Sequence, residues 1–352
     1  MTDDGRSAAG GMPVPDRPIT SGAAVPAPAR RSRPPDPPAP PMAGNRLVER
    51  TSAQLYVATG AVLARLPARP AWIVLGWFTR AGYLLFPSKR RYSNLNFGHV
   101  LGKSPDSPAV RRLALRAYGT YARYLVELMR LPRRSLSEAP ALIDGVGLEE
   151  VESIWRESKG IILVACHVGN NEIACAGVAG RGWPISVVAD DTTFPELFEI
   201  LRRQREAFGA HVIPWRNLRE VYSVLRRREM LTLLVDWGYR ADGIPVRLFG
   251  AWTALPAGPA VLAAKTGASI LPITIRRQPN DHFLIVVNQP FTVPSGQPAD
   301  LQRATQAVAA ALEATIGAAP EQWYSFKPMW PATAAEAREL EERAARMAAN
   351  ER

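Results

Sequence analysis

Cysteine and histidine are scarce in this chain of 352 residues, which has two of the first and four of the second. Cys166 and Cys175 cannot make a disulfide framework, and both lie in one apolar stretch, which fits a reducing cytoplasm. Cys166 precedes His167 on a strand pattern, so the two side chains should point to opposite faces, and Cys166 reads as core rather than as a nucleophile. The four histidines make no metal-ligand spacing with one another or with cysteine, so no metal is expected. Glycine-rich phosphate loops and dinucleotide fingerprints are missing, and no cofactor is expected. The Gly-x-Ser-x-Gly elbow of serine hydrolases is missing too, which disfavours a serine nucleophile. No apolar run reaches the roughly 20 residues that a membrane-spanning helix needs. The N-terminal stretch has no apolar core of a secretory signal.

Acidic residues are outnumbered: 32 stand against 43 lysines and arginines, for a formal net charge of +11. Such an excess favours polyanions, either nucleic acid or an anionic membrane surface. The arginines gather at 89–91, 111–112, 133–134, 202–205 and 226–228, mostly as solvated helix faces. No zinc spacing, aromatic RNA-binding strand or recognition helix accompanies them, so no nucleic-acid partner is expected. The membrane surface is the remaining partner.

Composition divides the chain. Residues 1–45 are dense in Pro, Ala, Gly and Arg without apolar periodicity, as in a disordered tail. Residues 46–135 read as helices. Within them, the stretch from Pro70 to Pro87 is rich in Trp, Phe and Leu, is interrupted by Arg80, and runs into Lys89-Arg90-Arg91. Aromatic residues with a basic flank suit a helix lying in a membrane interface, and a buried helix packed on the main domain is the alternative. A long helix is expected over 110–130, with His99 in a loop before it. Regular strand–helix alternation then fills 136–331, with strands at 160–166, 184–189, 210–214, 230–235, 269–276 and 282–288. That spacing implies an α/β fold with a mostly parallel central sheet flanked by helices. Residues 332–352 form a charged amphipathic helix that packs only in part.

The chemistry centres on ACHVGNNE, residues 165–172. An apolar strand delivers His167 to the carboxyl edge of the sheet, where open α/β folds place their sites. A Gly-Asn-Asn turn then puts Glu172 in the first turn of a helix. A carboxylate bonded to one imidazole nitrogen raises the basicity of the other, which can then deprotonate a hydroxyl. The alternative is a glutamate that only complements the helix dipole beside a histidine bonded to backbone.

Further segments accompany that motif in order: Ser186 to Asp190 with Arg205-Glu206-Ala207-Phe208-Gly209, Val235-Asp236-Trp237-Gly238 with Gly243 to Gly250, Pro256 to Ala260 with Thr266 to Ile273, and Pro320-Glu321-Gln322-Trp323-Tyr324. Together with His167-x4-Glu172 they resemble the lysophospholipid acyltransferase superfamily. More closely, they resemble its bacterial branch of lipid A biosynthesis (lauroyl/myristoyl) and phosphatidylinositol mannoside acyltransferases. The resemblance spans about 46–331. It implies a membrane-associated O-acyltransferase of the cytoplasmic face that uses acyl-CoA or acyl carrier protein as donor and a glycolipid or phospholipid hydroxyl as acceptor. A phosphatidylinositol mannoside-like acceptor is favoured. The acyl chain would lie in a groove between the α/β domain and the N-terminal helices.

In that reading His167 is the general base and Glu172 its orienting carboxylate. Asp236 orients the imidazole from a second side, binds acceptor hydroxyls, or caps a loop. Asp190 binds a hydroxyl of the substrate or caps the next helix. Arg205, with Arg240 and Arg247, would meet phosphate. Two other functions compete: a thioesterase that turns the same pair on water, and a membrane-binding module without turnover.

Overall fold

The structure, a computed structural model, describes residues 46–133 and 138–349. The expected tail over 1–45, Arg134 of the basic clusters and the boundary at 135/136 lie outside the described residues. Four helices come first: α1 (Arg46–Leu63), α2 (Ala68–Leu85), α3 (Pro87–Leu101) and α4 (Pro108–Arg130). Pro87 ends one helix and starts the next, because it lacks the N–H that α2 needs and suits the first position of α3. Ser107 accepts a bond from the Val110 N–H and caps α4, with Pro108 in its first turn. His99 lies within α3, not in a loop, and its ring stacks on Trp330 with centroids 4.2 Å apart.

The alternation follows as α5 (Glu138–Ala141), β1 (Ile143–Val146), α6 (Leu148–Glu157), β2 (Ile161–Ala165), α7 (Asn171–Ala179), β3 (Ile185–Ala189), α8 (Pro195–Ala207), β4 (His211–Pro214), α9 (Leu218–Arg226) and β5 (Met230–Leu234). A hairpin of β6 (Ile244–Leu248) and β7 (Ala251–Leu255) interrupts it. The chain continues through α10 (Gly258–Thr266), β8 (Ser269–Arg277), β9 (Phe283–Val287), α11 (Pro298–Ala318) and α12 (Ala334–Ala349). Phe249 and Gly250, at φ 49° and 73°, turn the hairpin with the left-handed pair that a tight two-residue turn requires.

Seven strands form one sheet in the order β1-β9-β8-β2-β5-β3-β4. β8, β2, β5, β3 and β4 run parallel, and β9 is antiparallel to β8. β2 lies at the centre and all five of its residues are buried. Burying each Ile, Leu or Val there contributes about 1.5–3 kcal/mol. Its alternation divides the interior. Ile162 and Val164 join a core built with α4, α9, α10 and α11, while Ile161 and Leu163 join one beneath α6 and α7. Tyr83, Phe97, Val110 and Leu113 belong to the first of these cores, so α2–α4 share it with the sheet.

α12 buries Leu340 and Ala344, and Arg343 donates to the Ala241 carbonyl at 2.6 Å. The outer face of α2 stays bare, with Trp77 73% and Phe78 70% exposed beside exposed Ile73, Val74, Leu84, Leu85 and Phe86. Among the described residues, no helix is long and apolar enough to cross a membrane.

Candidate active site

β2 and β5 are parallel neighbours in which Ala165 faces Leu234. The register continues past both ends, since Val235 N–H donates to the Ala165 carbonyl at 3.2 Å. Two residues beyond Ala165 comes His167, and two beyond Leu234 comes Asp236, so strand pairing alone sets the two side chains abreast. His167 Nδ1 lies 2.6 Å from Asp236 Oδ1, and the His167 backbone N–H donates to Asp236 Oδ2 at 2.9 Å. Trp323 Nε1 donates to the same Oδ2 at 2.8 Å. The Asp236 side chain is wholly buried while His167 remains 26% exposed.

Burial pushes the Asp236 carboxyl upward, but the charge of His167 and the hydrogen bonds from His167 and Trp323 outweigh it and hold it below its ordinary value. An ionised Asp236 only accepts, so Nδ1 carries the proton and Nε2 is left with its lone pair. Burial works against a charged imidazole, yet the charge and hydrogen bond of Asp236, with a smaller push from Glu172, raise the His167 pKa above its ordinary value of 6.5. The arrangement makes a stronger base with one reactive nitrogen at a partly open surface.

Glu172 is not bonded to the imidazole. From the first turn of α7 it meets α8, where Arg205 Nε and Nη2 donate to its two carboxylate oxygens at 2.9 and 2.5 Å. The expected orienting carboxylate is therefore replaced by Asp236. The fork also occupies Arg205, which does not stand open to a phosphate. Arg240 pairs with Asp242 at 2.8 Å and Arg247 with Glu341 at 3.7 Å, both on the surface and neither beside Glu172. Asp190 does not cap the next helix, α8, whose N-cap Phe194 makes no side-chain capping bond; it accepts from the Thr192 N–H and from the Thr192 and Thr193 hydroxyls within the loop before it. Cys166 is buried, and burial followed by the charge of Asp236 drives its thiol well above the ordinary range, as suits a core residue.

The turn between His167 and α7 is fixed by its sequence. Gly169 has φ 69°, and a side chain there would press a Cβ within 2.7 Å of the Ile275 carbonyl oxygen. Asn170 caps α7 by accepting from the Glu172 and Ile173 N–H groups, and its own amide donates to Glu127 at 2.9 Å. Pro320–Gln322 and Trp323 clasp this turn: Gly169 N–H donates to the Gln322 carbonyl at 3.2 Å and Tyr324 N–H to the His167 carbonyl at 2.8 Å. The Trp323 indole is the third anchor of Asp236, a role that the Pro320–Tyr324 signature does not reveal in the sequence.

Under α7 runs a narrow cavity of about 60 Å³, lined almost entirely by apolar side chains of the sheet and of α6 and α7, including Leu163, Cys175, Ile185, Met230 and Ile275. Glu172 and Arg205 form its polar boundary. Among the described residues, no three His, Cys, Asp or Glu side chains gather to hold a metal ion.

A sequence model of the bacterial lipid A biosynthesis acyltransferases matches residues 44–331. A phosphatidylinositol mannoside acyltransferase of Mycolicibacterium smegmatis is 29% identical over 241 residues, 67% of this chain and 77% of the relative. A phosphatidylinositol mannoside acyltransferase of Mycobacterium tuberculosis is 28% identical over 299 residues, 83% of this chain and 92% of the relative.

Proposed function

The chain belongs to the bacterial lipid A biosynthesis acyltransferase family, and from that premise we propose that it moves a fatty acyl chain from acyl-CoA or acyl carrier protein to a hydroxyl of a glycolipid or phospholipid. The names of its relatives favour a phosphatidylinositol mannoside-like acceptor. The observation that carries the chemistry is the His167–Asp236 bond, which leaves Nε2 free at the sheet's open edge.

In this reading His167 Nε2 takes the acceptor hydroxyl's proton as its oxygen attacks the thioester carbonyl. The tetrahedral intermediate collapses with cleavage of the C–S bond, and the imidazolium returns the proton to the departing thiol. Asp236 stabilises the imidazolium and holds its tautomer without taking the proton. The apolar cavity beneath α7 receives the chain, which widens it on entry. The bare face of α2, with the basic run at 89–91 beyond it, lies against an anionic lipid surface on the cytoplasmic side.

Purified protein and a His167→Ala variant given radiolabelled palmitoyl-CoA and extracted membrane lipids test the reading. A labelled lipid from the wild type and a loss of about 10²–10⁴-fold in the variant are expected, the range for a positioned acid–base group. A fully active variant contradicts the mechanism, and release of free palmitate in place of a labelled lipid contradicts transfer.

A further inference from the structure

Beside the imidazole stands Trp237, 56% exposed, with the two ring centroids 5.4 Å apart. Over the same indole lies the ammonium of Lys327, 3.8 Å from its centroid. One indole therefore separates a fixed cation from the catalytic base.

The backbone that carries this lysine is held from two sides. Asn96 of α3, itself buried, donates to the Ser325 and Lys327 carbonyls at 3.0 and 2.7 Å and accepts from the Met329 N–H at 3.1 Å. On the other side, Tyr239 N–H donates to the Pro328 carbonyl at 2.7 Å. Gly238, at φ 123°, leaves only 3.3 Å between a would-be Cβ and that of Lys327, so the loop carrying Asp236 and the lysine segment are fitted together.

Among the described residues, no carboxylate lies within ion-pair distance of the Lys327 ammonium. Asp190 acts on it only through its field, and that carboxylate is already bonded to Thr192 and Thr193. Lys89, at the start of α3, adds a second positive charge that repels it. Burial first, and then Lys89, lower the ammonium's pKa despite Asp190. An arriving phosphate anion would offset both effects.

We propose that Lys327, seated over Trp237, anchors a substrate phosphate at the mouth of the acyl-transfer site. The inference rests on the acyltransferase reading, in which the acceptor carries a phosphate diester close to its hydroxyls and the donor carries phosphates at the far end of its pantetheine arm. A lysine suits such a group as a point charge.

Calorimetric titration of the full chain with two probes tests it without turnover: adenosine 3′,5′-bisphosphate for the donor and glycerophosphoinositol for the acceptor. Lys327→Met is expected to weaken one of them by about tenfold or more, as loss of a charge-assisted bond does. Lys327→Arg should retain most of the binding. Weakened bisphosphate binding assigns the site to the donor, and weakened glycerophosphoinositol binding assigns it to the acceptor. Equal binding of both probes to wild type and Lys327→Met, with the fold intact by circular dichroism, overturns the proposal. Binding of neither probe to the wild type overturns it as well. Failure of labelled lipid to form while probe binding still depends on Lys327 would instead sink the acyltransferase reading alone.

Discussion

Two carboxylates stand near His167, and they are used in opposite ways. Asp236 gives one oxygen to the imidazole and the other to the His167 backbone and the Trp323 indole, so its charge is directed at a partner that can still react. Glu172 is saturated by Arg205 in a bidentate fork, with side chains 11% and 17% exposed. The first pair tunes a base, whereas the second closes a wall of the cavity. Sequence spacing points to Glu172, but strand register selects Asp236.

Replacing Asp236 should break this comparison most sharply. Asp236→Asn keeps the shape but removes the charge and admits the wrong tautomer, and a loss of about 10³–10⁴-fold in kcat is expected by analogy with triads of this kind. Single-turnover acyl transfer measures it.

The counterpart at the other pair is a stability effect. Glu172→Gln leaves the Arg205 guanidinium buried without its counter-charge and should cost about 3–5 kcal/mol in denaturant unfolding. A Glu172→Gln/Arg205→Met double variant should recover most of that loss. If the single and double variants are equally unstable, the fork is not what holds the wall.

The pH dependence refines the contrast. A general base works only when neutral, and the His167 pKa is raised, so kcat/KM should rise with pH through a limb above 6.5. Removing the Asp236 charge lowers that pKa and moves the limb to lower pH. Removing Glu172 moves it the same way by less, because its contribution ranks below both contributions of Asp236.

The smallest effect on chemistry should come from the bare face of α2. Trp77→Ser with Phe78→Ser is expected to weaken binding to anionic vesicles while leaving turnover of a detergent-dispersed acceptor within about twofold, since neither exposed ring packs on the core. Sedimentation with vesicles checks it.

Much of this was legible in the chain. Apolar runs such as Ile161 to Cys166, each followed by a turn and a helix, announce a parallel sheet and put His167 at its edge. The placement of Asp236 required only that β2 and β5 be neighbours, which they are. The partner of Glu172 was not legible, because it depends on where the end of α8 falls beside the start of α7, a contact between residues 33 apart with no local signal. Trp323 was hidden for the same reason: its indole reaches Asp236 across 87 residues. The hairpin of β6 and β7 escaped because Gly243 to Gly250 read as a motif, although Phe249-Gly250 ahead of a second alternating run was a turn signal. Only four histidines and two cysteines leave few alternatives for a base in the sequence.

The most direct test of the account is a nitrogen-15 NMR titration of His167, assigned by its loss in His167→Ala among four histidine rings. The account predicts a wild-type ring protonated at Nδ1 when neutral, with a pKa above 6.5 that falls clearly in Asp236→Asn and only slightly in Glu172→Gln. A larger fall in Glu172→Gln, or a neutral ring protonated at Nε2, would contradict it.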